Sequence, residues 1–169
     1  MVRRSTVSSP GLRYPALLRQ ELAAALPGPA LREMERIKKR RAFGEGELLF
    51  GQGAPARQVL EVVSGSIRLW MHHPRKPELY LREAGPGELL GLCETMAGGR
   101  YTFNAMATAA GEVELIEREE LLKLLARRYE IALAITRVMS THLTQTHELL
   151  REMDRARSRA RPATVRLPR

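Results

Sequence analysis

Between Gly91 and Thr102 the chain gathers residues that can handle an anion. Gly91-Leu92-Cys93-Glu94-Thr95 reads as a turn opening into a short helical segment, whose successive backbone N–H groups can hold negative charge, with the Thr102 hydroxyl as a further donor. Other candidate groups form no site. His72 and His73 stand side by side before Pro74, and neighbouring side chains on an extended segment diverge, so these two histidines and Cys93 are not expected to hold a metal. One cysteine supplies neither an intramolecular disulfide nor the thiolates of an iron–sulfur cluster. The sequence has no Gly-x-Ser-x-Gly, His-Glu-x-x-His, Walker or Rossmann motif, so no catalytic residue, cofactor or metal is expected and the chain does not read as an enzyme.

The elements that must position the Gly91–Thr102 stretch are short strands. Glu47 to Phe50, Val59 to Val63, Ile67 to Met71, Leu79 to Leu81 and Glu112 to Ile116 are apolar or branched runs separated by Gly, Pro and Ser turns, with Gly53, Gly65 and Gly91 where a positive φ or a close backbone approach is needed. Many short strands at regular spacing predict a mainly β fold of double-sheet jelly-roll type with flanking helices. Residues 1–14 read as a disordered lead-in and Pro15 to Arg41 as helical, with Leu17, Leu18, Leu22 and Leu26 on one face. A break at Pro27-Gly28-Pro29 follows, and Leu31, Met34 and Ile37 resume the pattern. The barrel is expected from about Ala42 to Arg118, followed by a short helix over Glu119 to Leu125. The domain proper thus spans 15–128, with a long helix over 129–157 and a basic tail over 158–169.

In the long helix, Ala132, Ile135, Met139, His142, Thr146, Leu149, Met153 and Ala156 recur at steps of three and four, the a/d seam of a coiled coil. That seam is expected to pair with a second copy, while Leu133, Leu143 and Leu150 face the helix's own barrel. Of the formal +9 charge, a net +5 lies between Arg151 and Arg169, where seven arginines face two acids. Such a tail is expected to grip nucleic acid weakly and without sequence preference. No signal peptide or membrane span is present, so a cytoplasmic protein with no membrane partner is expected.

Three stretches carry a resemblance to a known family: Phe43-Gly-Glu-Gly-Glu-Leu-Leu-Phe-Gly-Gln-Gly53, Val62-Val-Ser-Gly-Ser-Ile-Arg-Leu69 and Gly85-Pro-Gly-Glu-Leu-Leu-Gly91. Over about Pro15 to Met153 the chain resembles the cyclic-nucleotide-binding sensor domain of Crp/Fnr-type transcription regulators. That resemblance implies a β-roll, a long C-terminal dimerisation helix and a phosphate-binding cassette. In the family the cassette carries a Glu for the ribose hydroxyl and an Arg-Ser or Arg-Thr pair for the cyclic phosphate. Here Leu92 stands at the Glu position and Tyr101-Thr102 at the Arg-Ser pair, while Glu94 and Arg100 lie nearby out of register. Thr146 falls where a helix Thr meets the base, and His147 replaces a neighbouring Ser. The resemblance therefore implies ligand contacts at Gly91, Leu92, Cys93, Glu94, Arg100, Tyr101, Thr102 and Thr146, but with usual cyclic AMP binding lost. Leu92→Glu with Tyr101→Arg is expected to restore that binding.

The family's helix-turn-helix domain is expected to be missing, since only sixteen residues follow Met153. The reading is a homodimeric regulatory module that senses an unidentified small-molecule effector. The alternative is a protein-interaction module with a vestigial pocket.

Overall fold

The structure, a computed structural model, describes residues 15–160. In chain order its elements are β1 (Leu17–Leu18), α1 (Arg19–Ala24), α2 (Gly28–Arg36), β2 (Lys39–Phe43), β3 (Leu48–Phe50), β4 (Gln58–His73), β5 (Lys76–Ala84), β6 (Glu88–Leu90), α3 (Leu92–Ala97), β7 (Asn104–Glu117), α4 (Arg118–Arg127) and α5 (Tyr129–Ala160). The lead-in expected over 1–14 and the tail residues 161–169 lie outside the described residues. Residues 158–160 continue α5.

Strands β4 and β7 carry the fold. Ile67 and Leu69 of β4, with Ala105, Ala107 and Val113 of β7, are buried at alternating positions, the period of two that a half-buried strand imposes. The two strands pair antiparallel from Gln58 opposite Glu117 to Trp70 opposite Asn104. Onto this ladder β2 and β3 add along β7, and β5 and β6 along β4. The result is the seven-stranded antiparallel β-roll with flanking helices that the sequence predicts. The ladder bends where Gly65 (φ +87°) opposes Gly111, and a Cβ on Gly111 would lie 2.2 Å from the Ser64 carbonyl oxygen. Only glycine fits that crossing.

Two expectations fail at the helix margins. Leu17 and Leu18 are a strand paired with Leu89 and Glu88, because ladder bonds to β6 outweigh a weak helical periodicity. Lys39 to Arg41 belong to β2, paired with Leu115 to Val113. Pro27 and Pro29 do break the helical run, with Pro27 the N-cap of α2 and Pro29 in its first turn, where the missing N–H costs nothing.

Two apolar cores result. One fills the roll, including Phe50, Val62, Ile67, Leu69, Tyr101, Phe103 and Val113. The other lies between the roll and the helices, where Leu22, Met34, Val59, Leu92, Leu121, Leu124, Ile131 and Ile135 meet. Each such side chain contributes about 1.5–3 kcal/mol by burial.

Beside the second core sits a charge network that sequence reading missed. The Lys38 ammonium lies 2.5 Å from Glu61, 2.9 Å from Glu35 and 3.2 Å from Glu114, with its side chain only 5% exposed. Arg19 of α1 adds contacts of 3.0 Å to both Glu35 and Glu61, and Arg40 bonds Glu114 at 2.8 Å. The network pins α1 and α2 to β2, β4 and β7. Burial pulls the Lys38 pKa down, but hydrogen bonds to Glu61 and Glu35 outweigh it and hold the group above its ordinary value. The hydrogen bond from Arg40, helped by Lys38, holds the Glu114 carboxyl below the usual range against the effect of burial.

A carboxylate depressed on folding stabilises the fold above its unfolded pKa and loses that contribution as pH falls through the lowered value. Thermal melting is therefore expected to show stability falling as pH drops below 4.5, the ordinary value for the Glu114 group. At neutral pH, Lys38→Ala removes the cation shared by Glu35, Glu61 and Glu114, leaving the buried Glu61 to Arg19 alone, and is expected to cost about 1–3 kcal/mol. Glu120→Ala breaks only the exposed pair with Lys123 and should leave stability close to that of the wild type. Equal losses in denaturant titrations of the two variants would contradict the network's role.

Candidate functional site

The cassette stretch folds around two left-handed glycines. Gly91 (φ 74°) caps the start of α3 and Gly98 (φ 68°) its end. The Thr95 hydroxyl, fully buried, donates to the Gln58 carbonyl at 2.9 Å. The Tyr101 hydroxyl donates to the same oxygen at 2.8 Å and accepts from the Gln58 N–H at 3.3 Å. Arg118 Nε donates to the Thr95 carbonyl at 2.9 Å, closing the other end of α3. Neither Gln58, which acts through its backbone N–H and carbonyl, nor Arg118, whose guanidinium reaches a backbone carbonyl, carries a sequence signal for this role.

Tyr101 faces the interior of the roll. Its ring stacks on Phe50 with centroids 4.0 Å apart, and a Cβ on Gly91 would lie 2.7 Å from its Cε1 atom. The side chain is 6% exposed, and burial pushes its phenol pKa up. Leu92 is 2% exposed and packs in the second core with Val59, Leu121 and Ile135. The two residues at the family's ligand-gripping positions are therefore core residues, and the ring of Tyr101 lies against the backbone at which α3 begins. Tyr101 thus packs beside the start of the six-residue α3, where the anion-binding turn is expected.

The polar residues nearby are already committed. The Thr102 hydroxyl donates to Glu94 Oε1 at 2.5 Å. Arg100 is exposed and donates to the Gly53 carbonyl at 2.6 Å, so it does not replace the missing arginine. Cys93 is half-buried, and burial followed by the Glu94 charge pushes its thiol pKa up. His72 is exposed at the β4–β5 hairpin, its backbone N–H donating to Gln52 Oε1 at 2.7 Å. The His73 side chain lies outside the described residues. Among the described residues no cluster of three His, Cys, Asp or Glu side chains is placed to hold a metal.

Along α5 the expected faces are corrected. Ile131, Ala134, Ile135 and Val138 are buried in the domain's own core, so Ile135 is not a seam residue. Leu133, Leu143 and Leu150, expected to face the roll, are 45%, 55% and 56% exposed. His142 is half-buried, and its Nε2 donates to the Pro15 carbonyl at 3.0 Å. Leu149 is half-buried as well. A periodicity of three and four marks stripes without saying which faces home, and the apolar run Ile131 to Val138 decides it. The outward stripe with the same spacing is Ala132, Thr136, Met139, Leu143, Thr146, Leu150 and Met153. It keeps Ala132, Met139, Thr146 and Met153 of the expected seam and replaces the others.

Part of this stripe meets α3. A cleft of about 480 Å³ is lined by Cys93 together with Thr136, Met139, Ser140, His142, Leu143 and Thr146. The structure thus brings Cys93 and Thr146, both expected at a ligand, to one concave surface. It does not bring Leu92, Arg100, Tyr101 or Thr102 there.

Residues 40–128 match the model of the cyclic nucleotide-binding domain. The chain belongs to the cyclic nucleotide-binding domain family. This domain is 30% identical over 131 residues to the cyclic AMP receptor protein of Thermus thermophilus, covering 76% of this chain and 61% of that one. Its fold superposes on the crystal structure of the Thermus thermophilus catabolite activator protein with a TM-score of 0.71 at 25% identity, covering 79% of this chain and 63% of the other. The N-terminal domain of a transcriptional regulator from Streptomyces coelicolor gives a TM-score of 0.67 at 26% identity, covering 79% of this chain and 96% of that one. The resemblance to Crp/Fnr regulators is thereby borne out. The chain spans less than two thirds of the Thermus proteins it matches. Among the described residues no helix is long and apolar enough to cross a membrane.

Leu92 and Tyr101, the positions at which the family's residues are expected to restore binding, are both buried. Leu92→Glu with Tyr101→Arg places two charges in apolar core and is expected to cost more than about 3 kcal/mol of stability without conferring cyclic AMP affinity. A variant that melts like the wild type and binds cyclic AMP at micromolar concentration in calorimetry would show that these side chains face a pocket.

Proposed function

We propose that this domain is the effector-sensing module of a Crp/Fnr-type transcription regulator, paired with a second copy through α5, and that its cassette does not grip cyclic AMP in the family's usual way. The observation that carries this reading is the burial of Leu92 and Tyr101 at the positions of the ribose-binding Glu and phosphate-binding Arg. Losing one charge-assisted phosphate contact and one ribose contact costs about 3–6 kcal/mol, two to four decades of affinity. The sensing role rests on the family and on relatives whose names describe a cyclic AMP receptor and transcription regulators.

Leu92 also supplies a route for the signal. It heads α3 and shares a core with Ile135 of α5, so an effector that displaces α3 re-poses the long helix. Such a shift requires an effector with differential affinity for the two poses. The rival reading, an interaction module with a vestigial pocket, draws on the interior of the roll, where Phe50 packs between Tyr101 and Phe103. The α3–α5 cleft favours sensing. DNA contact by the arginine-rich tail remains the reading of the sequence, and residues 161–169 lie outside the described residues.

Isothermal calorimetry is expected to show no saturable cyclic AMP binding below about millimolar, and micromolar binding would overturn the reading. The wild type is expected to sediment as a dimer, and Leu143→Glu with Leu150→Glu, which puts carboxylates on the exposed stripe, to sediment as a monomer. An unchanged mass in this double variant would exclude pairing through α5.

A further inference from the structure

The cleft between α3 and α5 carries no formal charge, since none of the side chains lining it is Lys, Arg, Asp or Glu. Its hydroxyl protons are already spent. Thr136 donates to the Ala132 carbonyl, Ser140 to that of Thr136 and Thr146 to that of His142, each at 2.8 Å. What these groups turn outward is oxygen lone pairs, which repel an anion and accept from an N–H or O–H. Arg100, just after α3, and Arg118, bonded to its end, are engaged elsewhere, Arg100 on the Gly53 carbonyl and Arg118 on that of Thr95. Burial and, after it, the neighbouring Glu94 raise the Cys93 thiol pKa.

Building on the reading of this domain as a sensor, we propose that the α3–α5 cleft takes an uncharged, largely apolar small molecule bearing a hydrogen-bond donor, and discriminates against nucleotides and other anions. A volume of about 480 Å³ lies within the usual range for small-molecule sites. Met139 and Cys93 offer soft, polarisable walls, and the flexible thioether adapts to ligands of different outline. A phosphate here would lose its hydration and meet no cation, the costly case of a buried unpaired charge. Met139 and Leu143 belong also to the exposed stripe of α5, so a second copy docked on that stripe closes the open side of the cleft and feels its occupant.

The test uses the full chain with two dyes of similar aromatic character, neutral Nile red and anionic anilinonaphthalene sulfonate, followed by fluorescence. Nile red is expected to saturate one site per chain and to bind at least tenfold more tightly than the sulfonate. Thr146→Arg, whose dimer state is checked by sedimentation because Thr146 also lies on the α5 stripe, is expected to reverse this order by placing a guanidinium in the cleft. Cys93→Trp, with a melting temperature checked against the wild type, is expected to weaken Nile red at least tenfold by filling the space. Nile red that never saturates, a sulfonate bound as tightly as Nile red, or an order of preference unmoved by Thr146→Arg would each overturn the proposal. Those failures are separable from failure of the sensor reading, which is decided by cyclic AMP calorimetry and sedimentation.

Discussion

The ring of Tyr101 lies between Phe50 and the backbone of Gly91, and its hydroxyl bonds the peptide of Gln58. That placement shapes the whole cassette. Any side chain at position 91 would collide with the ring, so the residue is held as a left-handed glycine and α3 starts where it does. With the ring against this corner, an aromatic surface lies beside the start of α3. The loop between α3 and β7 leaves Arg100 in solvent. The segment that the resemblance assigns to ligand contact packs through Leu92 and Tyr101 into the two cores.

The joint has a mechanical consequence. Leu92 and Tyr101 lie on opposite sides of it, one in the helix-side core and the other in the roll. Movement of α3 therefore perturbs both cores together, since close-packed interiors have few voids to absorb a shift. On the helix side the Lys38 network fixes α1 and α2 to the strands, and the bond from Arg128 Nε to Glu33 at 3.0 Å ties α2 to the start of α5. The N-terminal helices thus form a fixed backing against which α3 and α5 can change pose. The α3–α5 cleft differs in lining from a phosphate site because its hydroxyl donors are bonded within their own helix.

Much of the architecture was legible in the residues. Gly65 and Gly91 stand at positive φ where the strand pattern demanded it, and the alternation around Ile67 and Leu69 marked the inner face of the roll. The family's motif glycines located the cassette. What was not legible was direction. Leu92 and Tyr101 were readable as absences of Glu and Arg, but whether they lined an empty pocket or filled it depends on backbone turns that residue identity does not fix. The seam on α5 was displaced for the same reason, since stripes through Ile135 and through Leu143 share a spacing and only the packing of Ile131 to Val138 separates them. Lys38 was hidden in the run Lys38-Lys39-Arg40-Arg41, which reads as a solvated charge cluster until the β2–β7 register brings Lys38 to Glu61 and Glu114.

The claim that Tyr101 and Leu92 close the cassette is tested most directly by amide NMR spectra of the chain recorded with and without millimolar cyclic AMP. The account predicts that the resonances of Gly91, Leu92, Tyr101 and Thr102 stay in place across the titration. Saturable shifts concentrated at those four residues would contradict it.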